Sequence, residues 1–198
     1  MRSFFMILAA LWLCATAGCG TTERTPESAT MIAVIDDFEK GVEDWDDSMG
    51  NAKEKPTIAC VADARVGKQA AKISFSAAEK GGWTLLKHDI DRWPDDGTAI
   101  AFWIKATAPG TPAQVKLSEM SGDHTGYEGF KATFTVGTEW QRVIIPLARF
   151  EFLWSMSGDS NKRLDKEKIS NIAFEQADET KPLTIVVDQI EILKESKE

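Results

Sequence analysis

Apolar and polar side chains alternate with a period of two along most of the chain, and turn-forming residues interrupt the alternation at short intervals. The clearest runs are Ile100, Phe102 and Ile104 in "AIAFWIK", Phe130, Ala132, Phe134 and Val136 in "FKATFTV", and Ile172 with Phe174 in "NIAFE". This pattern predicts strands over 32–38, 57–61, 70–76, 83–88, 99–106, 113–118, 130–136, 141–146, 169–175 and 183–193. Helical spacing is confined to fragments such as 164–169, and DDG, APGTP, SGDHTG and VGTE mark the turns. Many short strands at this spacing predict an all-β fold, a sandwich or jelly roll whose core lies between two sheet faces.

The stretch "TEWQRVIIPLARF" at 138–150 shows how the alternation works locally. Trp140 ends a turn begun at Gly137, Val143 and Ile145 point inward, and Phe150 folds the next loop onto the core. Pro146 closes the strand because it has no N–H to give to a ladder. Trp140 and Trp45 are both expected as core or motif residues.

The N-terminus follows a different logic. "MRSFFMILAALWLCATAGCG" has one positive charge at Arg2, an apolar run over 4–15, and then small residues. That order makes 1–18 a secretory signal, too short to serve as a membrane-spanning anchor. Ala17 and Gly18 stand directly before Cys19, and the stretch resembles the lipobox of bacterial lipoproteins, although Thr16 occupies a position where that family carries an aliphatic residue. The resemblance implies cleavage before Cys19 and its lipidation, so that the domain hangs from a membrane surface of the cell envelope. Gly20, at the second mature position, implies the outer membrane in a diderm cell. Each buried acyl methylene would add about 0.8 kcal/mol to membrane attachment. An ordinary signal peptide cleaved nearby is the plainer alternative. Residues 19–31, "CGTTERTPESATM", lack an apolar period and read as a flexible tether, leaving 32–194 as one domain.

Charge and cysteine count narrow the chemistry. The net charge is −8, and removal of 1–18 takes away only Arg2, which makes it −9. An acidic exported domain repels phosphate backbones, which argues against nucleic acid and against a polybasic membrane contact. Of three cysteines, Cys14 leaves with the signal and Cys19 is the lipid acceptor, so Cys60 has no internal partner and the fold depends on its core. Adjacent acids such as Asp36 and Asp37, or Asp95 and Asp96, point to opposite faces of a strand or cap turns, and are not acid–base pairs by spacing. His88 and His124 have no ligand spacing with Cys60, and no GxSxG is present. The expectation is a protein that is not an enzyme.

Three stretches taken together carry a family resemblance: "VIDDFEKGVEDW" at 34–45, "GTAIAFWIKAT" with "FKATFTVGTEWQRVIIPLARF", and "ISNIAFEQADETKPLTIVVDQIEIL". In order and spacing they resemble galactose-binding-like jelly rolls, especially family 11 carbohydrate-binding modules and complex I intermediate-associated protein 30 domains. The resemblance implies a structural calcium ion between the first and last strands. Its ligands would be Glu39 of "DDFE", Asp188 of "VVDQI" and carbonyls around Gly67 and Lys68, an oxygen-only set of the kind calcium takes.

The resemblance also implies a sugar-binding concave face. Sugars need exposed aromatic planes beside polar groups, and six tryptophans follow the signal. Trp103 lies opposite Ile100, Phe102 and Ile104 on its strand, and is expected on that face. Lys116 and Ser118 show the same alternation on what reads as the neighbouring strand, with Glu119 at its end. Tyr127, Trp83 and Trp154 adjoin glycine-containing loops and complete the ligand-binding candidates. Family 11 modules carry several tyrosines in the groove, and this chain has one, so tryptophans are the expected platforms. On the plainer alternative the face is filled by its own side chains and the loop 151–162. The leading expectation is a non-catalytic, membrane-anchored binder of a polysaccharide or oligosaccharide. The alternative is an adaptor or assembly factor that docks a protein partner.

Overall fold

The computed structural model describes residues 29–120, 126–156 and 161–195. The described residues form twelve strands: β1 (Ala29–Asp36), β2 (Trp45–Gly50), β3 (Thr57–Val61), β4 (Ala70–Phe75), β5 (Trp83–Asp89), β6 (Ala99–Ala106), β7 (Thr111–Met120), β8 (Tyr127–Val136), β9 (Gln141–Pro146), β10 (Glu151–Ser155), β11 (Ile169–Gln176) and β12 (Leu183–Glu195). They build two antiparallel sheets. One runs β3-β4-β12-β6-β9, with β1 also paired to β12, and the other runs β10-β8-β7-β11-β5-β2. The expected all-β jelly-roll sandwich is the observed architecture.

The alternating apolar residues meet between the sheets. Phe102 on β6 touches Phe134 of β8 at a centroid distance of 5.6 Å and Phe174 of β11 at 5.2 Å, edge to face. The aromatic chain continues through Trp45, 6.1 Å from Phe174, to the fully buried Phe38. Among the described residues, every buried core side chain lies between Phe38 and Leu193, so a fragment starting at Ala29 contains all of them.

Some local expectations change. Ile145 and Phe150 are buried and Val143 packs on the core, as read from the sequence. Trp45 is buried and donates its indole N–H to Asp36 Oδ2 at 2.6 Å. Trp140 is not a core residue: it is half-buried on the outer surface, with Lys105 Nζ 4.9 Å above its ring. The 164–169 fragment contains a single 3-10 turn at Lys166–Lys168. β1 begins at Ala29, inside the stretch read as tether. Two strands, β2 and β10, were not expected, and they form the two edges of the second sheet. Residues 1–28, including the Cys19 lipidation site, lie outside the described residues, as does His124.

Candidate functional site

The outward residues of the β10-β8-β7-β11-β5-β2 sheet line an open groove of about 890 Å³. Its floor is polar and ordered. Lys116 of β7 donates to Glu175 Oε1 of β11 at 2.8 Å, and Gln114 donates to the other oxygen of the same carboxylate. These three side chains are nearly inaccessible to solvent. Ser118 and Asn171, paired across β7 and β11, extend the floor along these strands toward the Gly129 row. Thr84 and Gln176 have the inward parity of Leu86 and Phe174 and hydrogen-bond at 3.0 Å beneath the opposite end of the floor. A buried ion pair with both carboxylate oxygens satisfied is rigid, so the floor presents fixed donors and acceptors in place of long mobile side chains.

Two indoles flank this floor, each lying on a glycine of the adjacent strand. Trp154 of β10 pairs with Gly129 of β8, and Trp83 of β5 pairs with Gly50 of β2. A Cβ added at Gly129 would stand 2.5 Å from Trp154 Nε1, and one at Gly50 would stand 2.5 Å from Trp83 Nε1. No residue with a side chain could occupy either glycine position while the indole stayed down. Lys116 Nζ lies 5.8 Å from the Trp154 ring centre, while Trp83 is 44% exposed and Tyr127, at the start of β8, is 38% exposed. Such planes beside fixed polar groups suit a ligand with both apolar faces and hydroxyls.

Trp154 faces the groove because of a β-bulge. Phe152 pairs with Phe130 and Trp154 with Gly129, so the register slips at Leu153. Phe152 points into the core, edge to face with Phe130 at 5.8 Å. Without the slip, Trp154 would share its face and point inward.

Four of the six expected ligand residues, Trp83, Lys116, Tyr127 and Trp154, therefore line one groove. Trp103 does not. It lies on β6 between Asp188 of β12 and Arg142 of β9, on the outer face of the other sheet, and the Arg65 guanidinium covers its ring at 4.5 Å. The chain crosses from one sheet to the other between β6 and β7, so Lys116 is not on a strand next to Trp103. Glu119 also departs from expectation. It has the same parity as Val115 and Leu117, so it points toward the sandwich interior at the end of β7, opposite Glu128, and accepts the N–H of Asp165. The loop expected over 151–162 contributes β10 to the sheet, and its Leu153, Trp154, Ser155 and Met156 line the groove wall. Gln114, Glu175 and Asn171 were missed, although their alternation against Val115, Ile172 and Phe174 marks them as outward-facing.

Burial raises the Glu119 carboxyl from 4.5 to about 7, with the nearby acids Asp165 and Glu128 adding to the effect. Because the folded pKa exceeds the unfolded value, stability falls as pH rises from about 4.5 through about 7 and stays lower above that window. Glu119→Gln should therefore be more stable than the parent at pH 8, by up to about 3 kcal/mol. Calorimetric melts at pH 8 and below pH 4.5 check this. A gap of the same size at both pH values would contradict it.

On the opposite sheet, Glu39 and Asp188 converge on the loop 65–69. Asp188 Oδ2 accepts the N–H groups of Arg65 and Val66 at 2.6 and 2.7 Å, while Glu39 Oε1 accepts those of Lys68 and Gln69 at 2.6 and 2.8 Å. Those loop amides hold Glu39 below the usual carboxylate range, whereas burial raises Asp188. Asp188 Oδ1 is buried without a hydrogen-bond partner. Gly67, at φ +68°, brings the backbone against the Glu39 carboxylate. Gln189, at φ +48°, bulges β12 beside Asp188. No cluster of three or more acidic, histidine or cysteine ligands occurs among the described residues, so any cation here would rest on these two carboxylates and on backbone oxygens. An orphaned buried carboxylate oxygen in an oxygen-only setting fits a hard divalent cation.

The model of a carbohydrate-binding domain, family 11, matches residues 21–195. No curated protein sequence matches the chain. Among solved structures, the chain is similar to a family 11 carbohydrate-binding module from Clostridium thermocellum in complex with a β-1,3-1,4-mixed-linked tetrasaccharide. The two share 24% identity over 83% of this chain and 94% of that one, with a TM-score of 0.70. It is also similar to the family 11 module of the cellulosomal cellulase Lic26A-Cel5E from the same organism, at 24% identity, 86% and 96% coverage and a TM-score of 0.71. The xylan-binding domain CBM22-1 of Paenibacillus barcinonensis Xyn10C is more distant, at 15% identity, 86% and 100% coverage and a TM-score of 0.52.

Proposed function

The chain belongs to the family 11 carbohydrate-binding domains, and from that premise we propose that it is a non-catalytic receptor for a β-glucan-type polysaccharide or oligosaccharide, held at the cell envelope by a lipid on Cys19. The observation that carries this reading is the groove itself, where two glycine-seated indoles and Tyr127 surround a floor of satisfied polar groups. The indoles offer surfaces for the C–H faces of sugar rings, and the floor offers donors and acceptors to hydroxyls. The only carboxylate of the Lys116–Glu175–Gln114 floor is already bonded to a cation and an amide, an arrangement for binding rather than for proton transfer. Shallow sites of this kind bind between about 1 mM and 1 μM, or roughly −4 to −8 kcal/mol. Calorimetric titration with mixed-linkage, β-1,4 and β-1,3 glucan oligosaccharides tests it, and no heat with any of them would end the proposal. A lipid on Cys19 would give the domain a surface-recruiting role. Mass spectrometry of the mature N-terminus tests that part separately.

We further propose that calcium is held by Glu39 and Asp188, with backbone oxygens of the loop 65–69. A bound cation would neutralise two converging carboxylates and satisfy Asp188 Oδ1. A ligand at a hundredfold its Kd stabilises by about 2.7 kcal/mol, which for a domain of this size is a melting-temperature rise of roughly 5–10 °C. Calcium should produce that rise, EDTA should reverse it, and Asp188→Asn should lose the response. An EDTA-insensitive melt with no calcium by elemental analysis rules the ion out.

A further inference from the structure

Both groove indoles are seated by the same device, and their separation has consequences for the length of the ligand. We infer that Gly50 and Gly129 are positioning residues of the groove, and that the indoles they seat act as a pair, engaged together only by an unbranched chain several pyranose rings long. This rests on the carbohydrate reading above and concerns how that site measures its ligand.

The two seats match atom for atom. At both glycines, the atoms nearest to an added Cβ are Nε1, Cε2 and Cζ2 of the facing indole, at 2.5, 2.7 and 2.9 Å for Gly50 and 2.5, 2.6 and 3.0 Å for Gly129. The side of each indole that carries Nε1, Cε2 and Cζ2 therefore rests on bare backbone, and both rings line the groove. Trp93 makes a similar approach to Gly97, but it is buried and donates its N–H to the Gly97 carbonyl at 3.1 Å, so it fills the core and presents no platform.

The register places the platforms at diagonal corners of the sheet. The glycine seats lie on β8 and β2, which are four strand steps apart in the order β8-β7-β11-β5-β2, or about 19 Å. The Trp154 row runs through Gly129, Ser118 and Asn171 to Asp89 of β5, six residues along that strand from Trp83, which adds about 20 Å lengthwise. One continuous groove connects the two corners and passes over Lys116 and Glu175. A disaccharide covers one indole. A long linear chain laid diagonally covers both and crosses the ordered floor between them, and the second contact then acts as an intramolecular one.

Titration of fragment 29–198 with linear β-glucan oligosaccharides, from disaccharide to octasaccharide, tests this. Affinity should rise with length until both indoles are spanned and then level off. Gly129→Ala and Gly50→Ala should each remove the rise, weakening the octasaccharide roughly tenfold or more while leaving weak disaccharide binding at the other indole. Gly129→Ala/Trp154→Ala should bind as Trp154→Ala alone does, because the glycine acts only through that ring. This equality also separates positioning from a general folding defect. An affinity already level at the disaccharide, or alanine variants that bind the octasaccharide like the parent, would overturn the inference while leaving the carbohydrate reading intact. Binding of no glucan at all would overturn both.

Discussion

Lys116→Met should destabilise the domain by about 3–5 kcal/mol, because it strands a buried carboxylate. Lys116 and Glu175 are 5% and 6% exposed, 2.8 Å apart, and on the central strands of the groove sheet. Removing the ammonium leaves Glu175 with the Gln114 amide as its remaining partner, in a setting too dry to hydrate it. For a domain of this length the loss corresponds to a fall of roughly 6–20 °C in melting temperature. Lys116→Met/Glu175→Leu should recover most of it, since a well-packed apolar pair can replace a buried ion pair at little cost. Thermal denaturation of the two variants decides the point. A single variant that melts with the parent would mean that the floor is hydrated and its ion pair not rigidly buried. The recovered double variant should still bind glucan poorly, which separates the floor's structural part from its part in recognition.

Phe102→Ala should cost a similar amount, about 3–5 kcal/mol, through cavity formation. Phe102 is fully buried and is the ring that joins the two sheets, in contact with Phe134 and Phe174 from the opposite layer. Cys60 is the single cysteine in the described domain, so no disulfide holds the layers together when that contact is lost. Urea denaturation should show a lower midpoint at an unchanged slope, the sign of lost stability without a change in the surface exposed on unfolding. A loss below about 1 kcal/mol would place the main inter-sheet contact elsewhere.

Much of this fold is written in the period-two runs. Ile100, Phe102 and Ile104, then Phe130 and Ala132, then Ile172 and Phe174, face the core because alternation and burial are the same constraint in a sandwich strand. The edge strands were harder to read. β2 is "WDDSMG" and β10 is "EFLWS"; the first is too polar to stand out, and the second is interrupted by the slip at Leu153. These are the strands that bring Gly50 and Trp154 to the groove.

The site was legible in residue type more than in place. Alternation tells which side of its own strand a residue occupies, but not which sheet that strand joins. Trp103 and Lys116 each face outward, as their patterns indicate, yet from opposite surfaces of the molecule, because the chain changes sheets between β6 and β7. Glu119 follows the inward parity of Leu117, and could have been assigned from that spacing. Nothing in the local pattern marks Gly129 or Gly50 as seats for an indole. That relation exists only across paired strands.

The central claim, that recognition belongs to the β10-β8-β7-β11-β5-β2 face, is tested most directly by following the indole N–H signals of the six tryptophans in 29–198 by NMR as a mixed-linkage glucan oligosaccharide is added. The signals of Trp83 and Trp154 should move together and saturably, while those of Trp45, Trp93, Trp103 and Trp140 stay in place. Saturable movement of Trp103 or Trp140 with Trp83 and Trp154 unchanged would move the site to the opposite sheet and contradict the account.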